Sequence, residues 1–429
     1  MKSTKTQRIV MEEHENIMVG LDIGTTKICA IVASIDEQDR IHILGVGKAH
    51  SDGLNRGVVV NIDKTVNAIK DAIAQAELAS GIQVNSVNVG IAGDHIRSMR
   101  SKGVITINNK DNEITAKDVE RLLEDCQRIM LPTDQQILHV IPQEFVVDGQ
   151  DGISDPVGMS GMRMEAEVHI ITGLVSAAKN MYRCVERAGY QVADLILEPL
   201  ASSYSVLDEE EKEAGVVLVD IGGGTTDLAI FQDNTIRHTA VVAIAGQKVT
   251  DDIRLGLSVL DDQAETLKRK HGESYADLIE EDEVITVPGI AGRPPKEITK
   301  SILAKIVQAR MEEILEIVGI EIKRSGYADS MSAGVVITGG GSLIKNICPL
   351  ANEILGLDAK VGIPLGITGG LKEEVNSPIY ATGVGLVMHA LRSGTSNNQT
   401  MMPSSSQGTN VEQVMQKITE RMKSWFKEL

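Results

Sequence analysis

The stretch that most constrains this chain is VVLVDIGGGTTDLAIF, residues 216 to 231. A Val- and Leu-rich run stops at Asp220, three glycines and two threonines follow, and beyond Asp227 an apolar run resumes. That order predicts strand, tight loop, strand. Glycines serve where backbone takes φ > 0 or lies directly against a ligand, and consecutive N–H groups in such a loop form a concavity that suits a phosphate. An ordinary Gly-rich hairpin turn also fits these residues when they are taken alone. The chain repeats the pattern near its start. In MVGLDIGTTKICAIVA, residues 18 to 33, an apolar run leads into Asp22, Ile23, Gly24, Thr25, Thr26 and Lys27, and a second apolar run follows. Read linearly, the later copy carries a two-glycine insertion. Internal similarity of this kind predicts a duplicated fold, with two phosphate hairpins facing one another and one nucleotide clamped between them.

A third cluster, GVVITGGGSLI (334 to 344), follows another buried-strand pattern, and Ser342 with Leu343 is expected to open a helix whose N-terminus favours anions. No GxxxxGK[ST] occurs in the sequence, which argues against a P-loop NTPase. The 429 residues and 42% hydrophobic content predict two or more globular domains. A net charge of −18 without a basic tract argues against nucleic acid as a partner. Cys29, Cys126, Cys184 and Cys348 show neither CxxC nor metal-ligand spacing and read as reduced thiols. Glu12, Glu13 and Glu15 interrupt the first 16 residues, so no signal peptide is expected, and no run has the apolar length of a membrane span.

In chain order, residues 53 to 81 contain an amphipathic helix with Val66, Ile69, Ile73 and Ala76 on one face, Asn61 or Asp63 as cap and Gly81 at the C′ position. A helix is expected near 114–130. Residues 162 to 171 alternate, with Met162, Met164, Ala166, Val168 and Ile170 on one side and Arg163, Glu165, Glu167 and His169 on the other, as in a sheet with one solvated face. His139 and His169 have acids nearby, but solvated strand-face residues are a better reading than a metal site. A helix over 174–188 ends at Gly189. Residues 246 to 320 read as a helical block interrupted by the Gly/Pro loop VPGIAGRPPKE.

The three glycine loops together resemble the actin and heat-shock chaperone ATPase superfamily, with a phosphate-1 loop at 22–27, a phosphate-2 loop at 220–227 and an adenosine loop at 339–342. Its two linking segments match LEPLASSYSVL (197–207) and PIYATGVGL (378–386), where Ala201, Ala381, Gly383 and Gly385 would let two helices cross closely. VNVGIAGDHIRSMRSKG, HVIPQEFVVDGQDGISDPVGMSG and MEAEVHIITG narrow the resemblance. They are similar to the inserted subdomain 1C of the FtsA family of bacterial actin homologues, and the match runs from about 17 to 392.

The resemblance implies an α/β, duplicated actin-like (ribonuclease H-like) two-domain ATPase fold with a small inserted α+β subdomain and a C-terminal amphipathic helix. It divides the chain into a tail (1–16), subdomain 1A (17–85, 172–205, 368–392), the SHS2-like insert 1C (86–171), subdomain 2A (206–245, 318–367), the helical subdomain 2B (246–317), a linker (393–410) and the helix (411–429). It implies ATP and Mg²⁺ as ligands. Gly24, Thr25, Thr26, Lys27, Gly222, Gly223, Gly224, Thr225 and Thr226 would contact phosphates. Asp22 and Asp220 would hold Mg²⁺ through water, with Asp227 near the metal or closing the hairpin. Gly339, Gly340, Gly341 and Ser342 would pack on adenosine, and Glu265 with Lys268, one helical turn apart, would reach ribose and base, although a surface ion pair explains them equally. Glu198 would orient water, or is simply a helix-start acid beside Pro199.

Residues 393 to 410 lack periodicity and are rich in Ser, Asn and Gly, which predicts a flexible linker. In VEQVMQKITERMKSWFKEL the residues Val411, Val414, Met415, Ile418, Met422, Trp425, Phe426 and Leu429 share one helical stripe, with charged residues elsewhere. Such a helix lies in the lipid headgroup plane, or docks on its own domain or a protein groove. The resemblance favours the membrane. It implies a peripheral protein on the cytoplasmic face of the cell membrane at the division site. There it would polymerise with itself, tether FtsZ filaments by docking the FtsZ tail on 2B, and recruit downstream division proteins, with at most weak ATPase activity. A pilus-assembly-type ATP-binding adaptor and an actin-fold small-molecule kinase remain alternatives.

Overall fold

Two large sheets wound alike organise the described residues, which in this computed structural model are 17–393 apart from 37, 39, 109, 110, 288 and 290–292. The tail at 1–16, most of the linker and the amphipathic stretch at 411–429 lie outside them.

In the first half β1 (Ile17–Ile23), β2 (Lys27–Ile35) and β3 (Ile41–His50) form an antiparallel meander. A two-residue ladder, β4 (Leu54–Asn55) with β5 (Val58–Val59), leads into α1 (Ile62–Ser80), and β6 (Ser86–Ile91) returns parallel to β1. Asn61 caps α1 by accepting the Lys64 N–H at 3.0 Å, and Gly81 ends it at φ 71°, a conformation that costs glycine nothing. Val66, Ile69, Ile73 and Ala76 are buried in the core between α1 and the sheet.

The chain then leaves this sheet for β7 (Arg97–Thr106), α2 (Ala116–Cys126), β8 (Gln135–Val147), β9 (Gln150–Ile153) and β10 (Arg163–Leu174), a four-stranded antiparallel sheet in the order β7-β10-β8-β9. The helix is shorter than 114–130: Gln127 to Ile129 form turns instead, shortly before Pro132. Met164, Ala166, Val168 and Ile170 are buried against α2. Met162 precedes the strand and is exposed, and the opposite face is not solvated throughout, since His169 is only 1% exposed. The second half of the molecule covers it: the His169 Nε2 lies 3.1 Å from Thr239 Oγ1, Ser98 Oγ donates to Thr239 O at 2.9 Å, and Gln143 Nε2 donates to Ile236 O at 2.8 Å. Alternation along a strand reveals two faces, but not what packs on the polar one.

After α3 (Val175–Ala188), closed by Gly189 at φ 103°, β11 (Gln191–Leu197) rejoins the first sheet parallel to β6. α4 (Glu198–Val206) and α5 (Glu209–Ala214) lead into the second half. There β12 (Val216–Ile221), β13 (Thr226–Gln232) and β14 (Thr235–Val242) repeat the meander. α6 (Gly246–Leu257), α7 (Asp261–His271) and α8 (Lys300–Ser325) form the block expected to be helical. It also contains an antiparallel pair, β15 (Val284–Val287) with β16 (Lys296–Thr299), because Val-Ile-Thr-Val is a β-branched run that favours a strand. α8 runs unbroken past residue 317 on one buried stripe from Leu303 through Met311 to Ile322. β17 (Val335–Thr338), α9 (Ile347–Leu355) and β18 (Ala359–Val361) complete the second sheet. β19 (Ile367–Gly370) then returns to pair with β3, followed by α10 (Lys372–Val375) and α11 (Ala381–Arg392).

The sheet orders are β19-β3-β2-β1-β6-β11 and β14-β13-β12-β17-β18, so β19 apart, each half has the same winding. The central strands β1 and β12 are buried throughout because helices cover both faces. No described helix is long and apolar enough to cross a membrane.

The linking helices α4 and α11 cross at small residues. A Cβ on Gly385 would lie 1.9 Å from Ala201 O, and Ser205 Oγ donates to Ala381 O at 2.7 Å; α11 also packs closely on β1, where a Cβ on Gly20 would lie 2.5 Å from Gly383 O. A Gly385→Ala substitution should therefore force the helices apart and lower stability by about 1–3 kcal/mol. Urea unfolding measures this, and an unchanged midpoint would rule out so close a crossing.

Candidate functional site

The hairpins at β1–β2 and β12–β13 point at each other. Their last ladder pairs are Ile23 with Ile28 and Ile221 with Thr226, leaving four loop residues in each. In each loop the first N–H donates to the fourth carbonyl: Gly24 N to Lys27 O at 3.0 Å and Gly222 N to Thr225 O at 2.9 Å. The loops are therefore equal in length, and the two-glycine insertion inferred from the linear pattern is not one. Matching the Thr-Thr pairs misaligned the copies. By ladder register Gly223, Gly224 and Thr225 stand where Thr25, Thr26 and Lys27 do, and Asp227 stands opposite Asp220 as Cys29 stands opposite Asp22. The substitutions are complementary. A Cβ on Gly223 would lie 2.4 Å from Thr26 Cγ2, and one on Gly224 would lie 2.5 Å from Thr25 Oγ1. The second loop is glycine because the first presses its threonines against it.

Four acids and one lysine end around this contact. Lys27 Nζ lies 3.7 Å from Asp22 Oδ2 and donates to Ile379 O at 2.5 Å. Burial pushes Asp22 above the usual carboxylate range despite Lys27, and pushes Asp220 up to about 6. Burial and the Asp220 charge push Asp227 up to about 7. Glu198, the first residue of α4, is raised well above its ordinary value by burial and by Asp22, Asp227 and Asp220. Its side chain fits because Gly90 has none: a Cβ there would lie 2.9 Å from Glu198 Cγ.

The third loop closes on the second hairpin. Gly339 has φ 78°, and a Cβ there would lie 2.2 Å from Asp220 Oδ1, while one on Gly341 would lie 2.3 Å from Ile221 Cγ2. Ser342 does not begin an α-helix. Its Oγ donates back to Gly339 O at 2.7 Å, Gly340–Leu343 form one 3-10 turn, and α9 begins only after Asn346 has taken φ 64°. Glu265 and Lys268 do pair, at 2.6 Å, and Lys268 Nζ also donates to Gly246 O at 2.9 Å. Gly246 N and Gln247 N in turn donate to Gly222 O and Gly223 O at 3.0 and 2.8 Å, so the pair braces the back of the second loop.

Several contributors were missed in the sequence. Ser202 and Thr382 bond Asp220, and Glu273, 1% exposed, accepts from Lys300 at 2.7 Å, Lys345 at 3.0 Å and Asn346 at 2.9 Å, tying α8 to the third loop. The hydroxyl-rich LASSYS within a helix otherwise small and apolar was the one visible signal. His139 and His169 are diagonal neighbours on paired strands but hold different partners: His139 Nε2 accepts the Leu197 N–H at 3.0 Å, while His169 Nε2 lies 3.1 Å from Thr239 Oγ1. Among the described residues no three His, Cys, Asp or Glu side chains converge to chelate a metal directly. Asp227 Oδ1 is nevertheless buried without a hydrogen-bond partner, and a set of buried carboxylates suits a hydrated divalent cation.

Comparison with known proteins bears on this arrangement. The family model described as cell division protein FtsA matches residues 217–385, and that of the SHS2 domain inserted in FtsA matches 93–172. Cell division protein FtsA of Pseudomonas aeruginosa is 44% identical over 409 residues, covering 95% of this chain and 97% of that one. The chain belongs to the FtsA family. FtsA of Escherichia coli K12 is 36% identical, with 96% of each chain covered, and FtsA of Bacillus subtilis is 38% identical, covering 88% of this chain and 84% of that one. A PilM–PilN type IV pilus biogenesis complex has a chain alike at TM-score 0.65 and 15% identity, covering 87% of this chain and 98% of that one. MreB5 of Spiroplasma citri bound to ADP is alike at TM-score 0.53 and 16% identity, covering 88% and 96%. The fold of this FtsA-family chain is actin-like, and β7–β10 with α2 form its SHS2 insert.

The raised carboxylates make stability depend on pH. Between about pH 4 and pH 7 the folded state holds more protons than the unfolded one, so the contribution of Asp220 and Asp227 is full below pH 4 and lost as pH rises through 7. In metal-free buffer Asp227→Asn should exceed the parent in stability by on the order of 2 kcal/mol at about pH 8, with the gap closing towards pH 4. Thermal unfolding at several pH values reads this, and a gap independent of pH would contradict the burial of that charge.

Proposed function

We propose that this protein binds ATP with Mg²⁺ between its two halves, polymerises, and anchors FtsZ filaments to the cytoplasmic face of the cell membrane at the division site. The observation that carries the reading is the contact of the two glycine- and threonine-bearing loops beside the buried carboxylates of Asp22, Asp220 and Asp227. Bound Mg²⁺ supplies positive charge beside the phosphates. The residues Gly24 to Lys27 and Gly222 to Thr226 hold the phosphates, and Asp22 and Asp220 hold waters of the cation, with Asp227 beside them. Gly339 to Ser342 form the adenosine side, with Glu265 and Lys268 behind the second loop. Glu198 orients the attacking water, and turnover is slow. MreB5 of S. citri with ADP in the same fold supports the nucleotide reading.

The FtsZ tail docks on the block spanning α6 to α8, and downstream division proteins bind the assembled filament. Val414, Met415, Ile418, Met422, Trp425 and Phe426 enter the headgroup boundary as one face of a helix. Each large apolar side chain contributes about 1.5–3 kcal/mol if fully buried, less when partly so. One tail binds reversibly, and a filament multiplies it by presenting many tails to one surface.

Gly223→Asp should lower ATP affinity by about 100-fold or more, on the order of 3 kcal/mol by calorimetry. Because the new side chain would also meet Thr26, urea unfolding checks that the variant still folds. Equal affinity of Gly223→Asp and parent would refute the phosphate role. Trp425→Glu with Phe426→Glu should abolish liposome flotation while ATP binding and FtsZ co-sedimentation persist. Retained flotation would exclude the tail as anchor.

A further inference from the structure

Asp220 is held by both of the helices that link the halves of the molecule. Ser202 Oγ, on α4, donates to Asp220 Oδ2 at 3.0 Å, and Thr382 Oγ1, on α11, donates to the same oxygen at 3.3 Å. The two hydroxyls are 3.0 Å apart, and all three side chains are buried. The other oxygen, Oδ1, fills the space that a side chain on Gly339 would need. The orientation of this carboxylate is therefore determined by three pieces of chain: two linking helices on one oxygen and the third glycine loop on the other. Ser205 strengthens the arrangement: its Oγ donates to Ala381 O at 2.7 Å and lies 3.0 Å from Ser202 O, so the hydroxyl-bearing turns of α4 and α11 are bonded to each other.

The place matters as much as the bonds. Ser202 and Thr382 sit beside the crossing of Ala201 with Gly385, where the two helices that join the halves touch most tightly. Rotation about a crossing this tight shears the two hydroxyls past each other and changes how many of them reach Asp220. Hydrogen bonds to a buried carboxylate are directional and among the stronger ones in proteins, so such a change alters where the carboxylate points.

Resting on the nucleotide reading above, we propose that Ser202 and Thr382 are positioning residues that couple the cation–nucleotide complex at Asp220 to the rotation of the two halves. The cation's hydration shell meets a correctly aimed carboxylate only when both linking helices are in the closed register. By linkage, the bound cation–nucleotide complex holds those helices in that register.

The test uses the full chain with Ser202→Ala and Thr382→Val, singly and together, and Thr382→Ser as the conservative control. Each is close to isosteric, and urea midpoints establish that it folds. Affinity for ATP is measured by calorimetry with Mg²⁺ and again with EDTA, and amide exchange of α4 and α11 is followed on adding Mg²⁺ and ATP. In the double variant the affinity with Mg²⁺ should fall about tenfold, the affinity in EDTA should stay within about twofold, and the added protection of α4 and α11 should disappear. Thr382→Ser should behave as the parent. Equal losses with and without Mg²⁺, or retained protection of both helices, would overturn the positioning role while leaving the nucleotide site intact. A parent that binds no ATP in either buffer would overturn the nucleotide reading, and this proposal with it.

Discussion

Everything in the centre of this molecule depends on the contact between two four-residue loops that cannot both carry side chains. Thr25 and Thr26 occupy the space that Cβ atoms on Gly224 and Gly223 would need. The duplicated halves thus meet through complementary sequence at equivalent positions, bulk on one side and bare backbone on the other. That complementarity lets Asp22 and Asp220, each at the end of a central strand, approach one cleft. A symmetric pair of Thr-bearing loops would hold the strands further apart.

The approach has an electrostatic cost. Asp22, Asp220, Asp227 and Glu198 are all pushed above their ordinary range, chiefly by burial and partly by one another, and Lys27 offsets only some of this. Folding therefore gathers four carboxyl groups whose charged forms disfavour one another at the contact of the two loops. The surroundings are correspondingly rigid. Glu265 and Lys268 brace α6 against the second loop, Glu273 ties α8 to the third, and Ser202 and Thr382 fix Asp220 to the linking helices.

The insert adds a further connection between the halves. It leaves the first sheet between β6 and β11, yet Ser98, Gln143 and His169 bond β14, the edge strand of the second sheet, and Arg100 Nη2 donates to Ser325 O at 3.3 Å at the end of α8. An edge strand with unpaired backbone groups is a liability unless covered, and here the insert covers it. Burial at this interface pushes His169 down to about 4, so its imidazole is neutral there.

The sequence by itself determined the duplication, the three glycine loops, the acids ending β1 and β12, the caps of α1 and the small residues at the helix crossing. Each of these is a local requirement: a positive φ, a missing side chain, an apolar strand stopping at a polar residue. Only the tertiary structure decided the rest, because it depends on partners far along the chain. Ladder register, not residue matching, showed that the loops are equal in length and that Gly223 faces Thr26. Packing of β14 buried His169 on a strand face that alternation alone reads as solvated. Ser202 and Thr382, 180 residues apart, meet at Asp220 only because two helices cross within the reach of one hydroxyl.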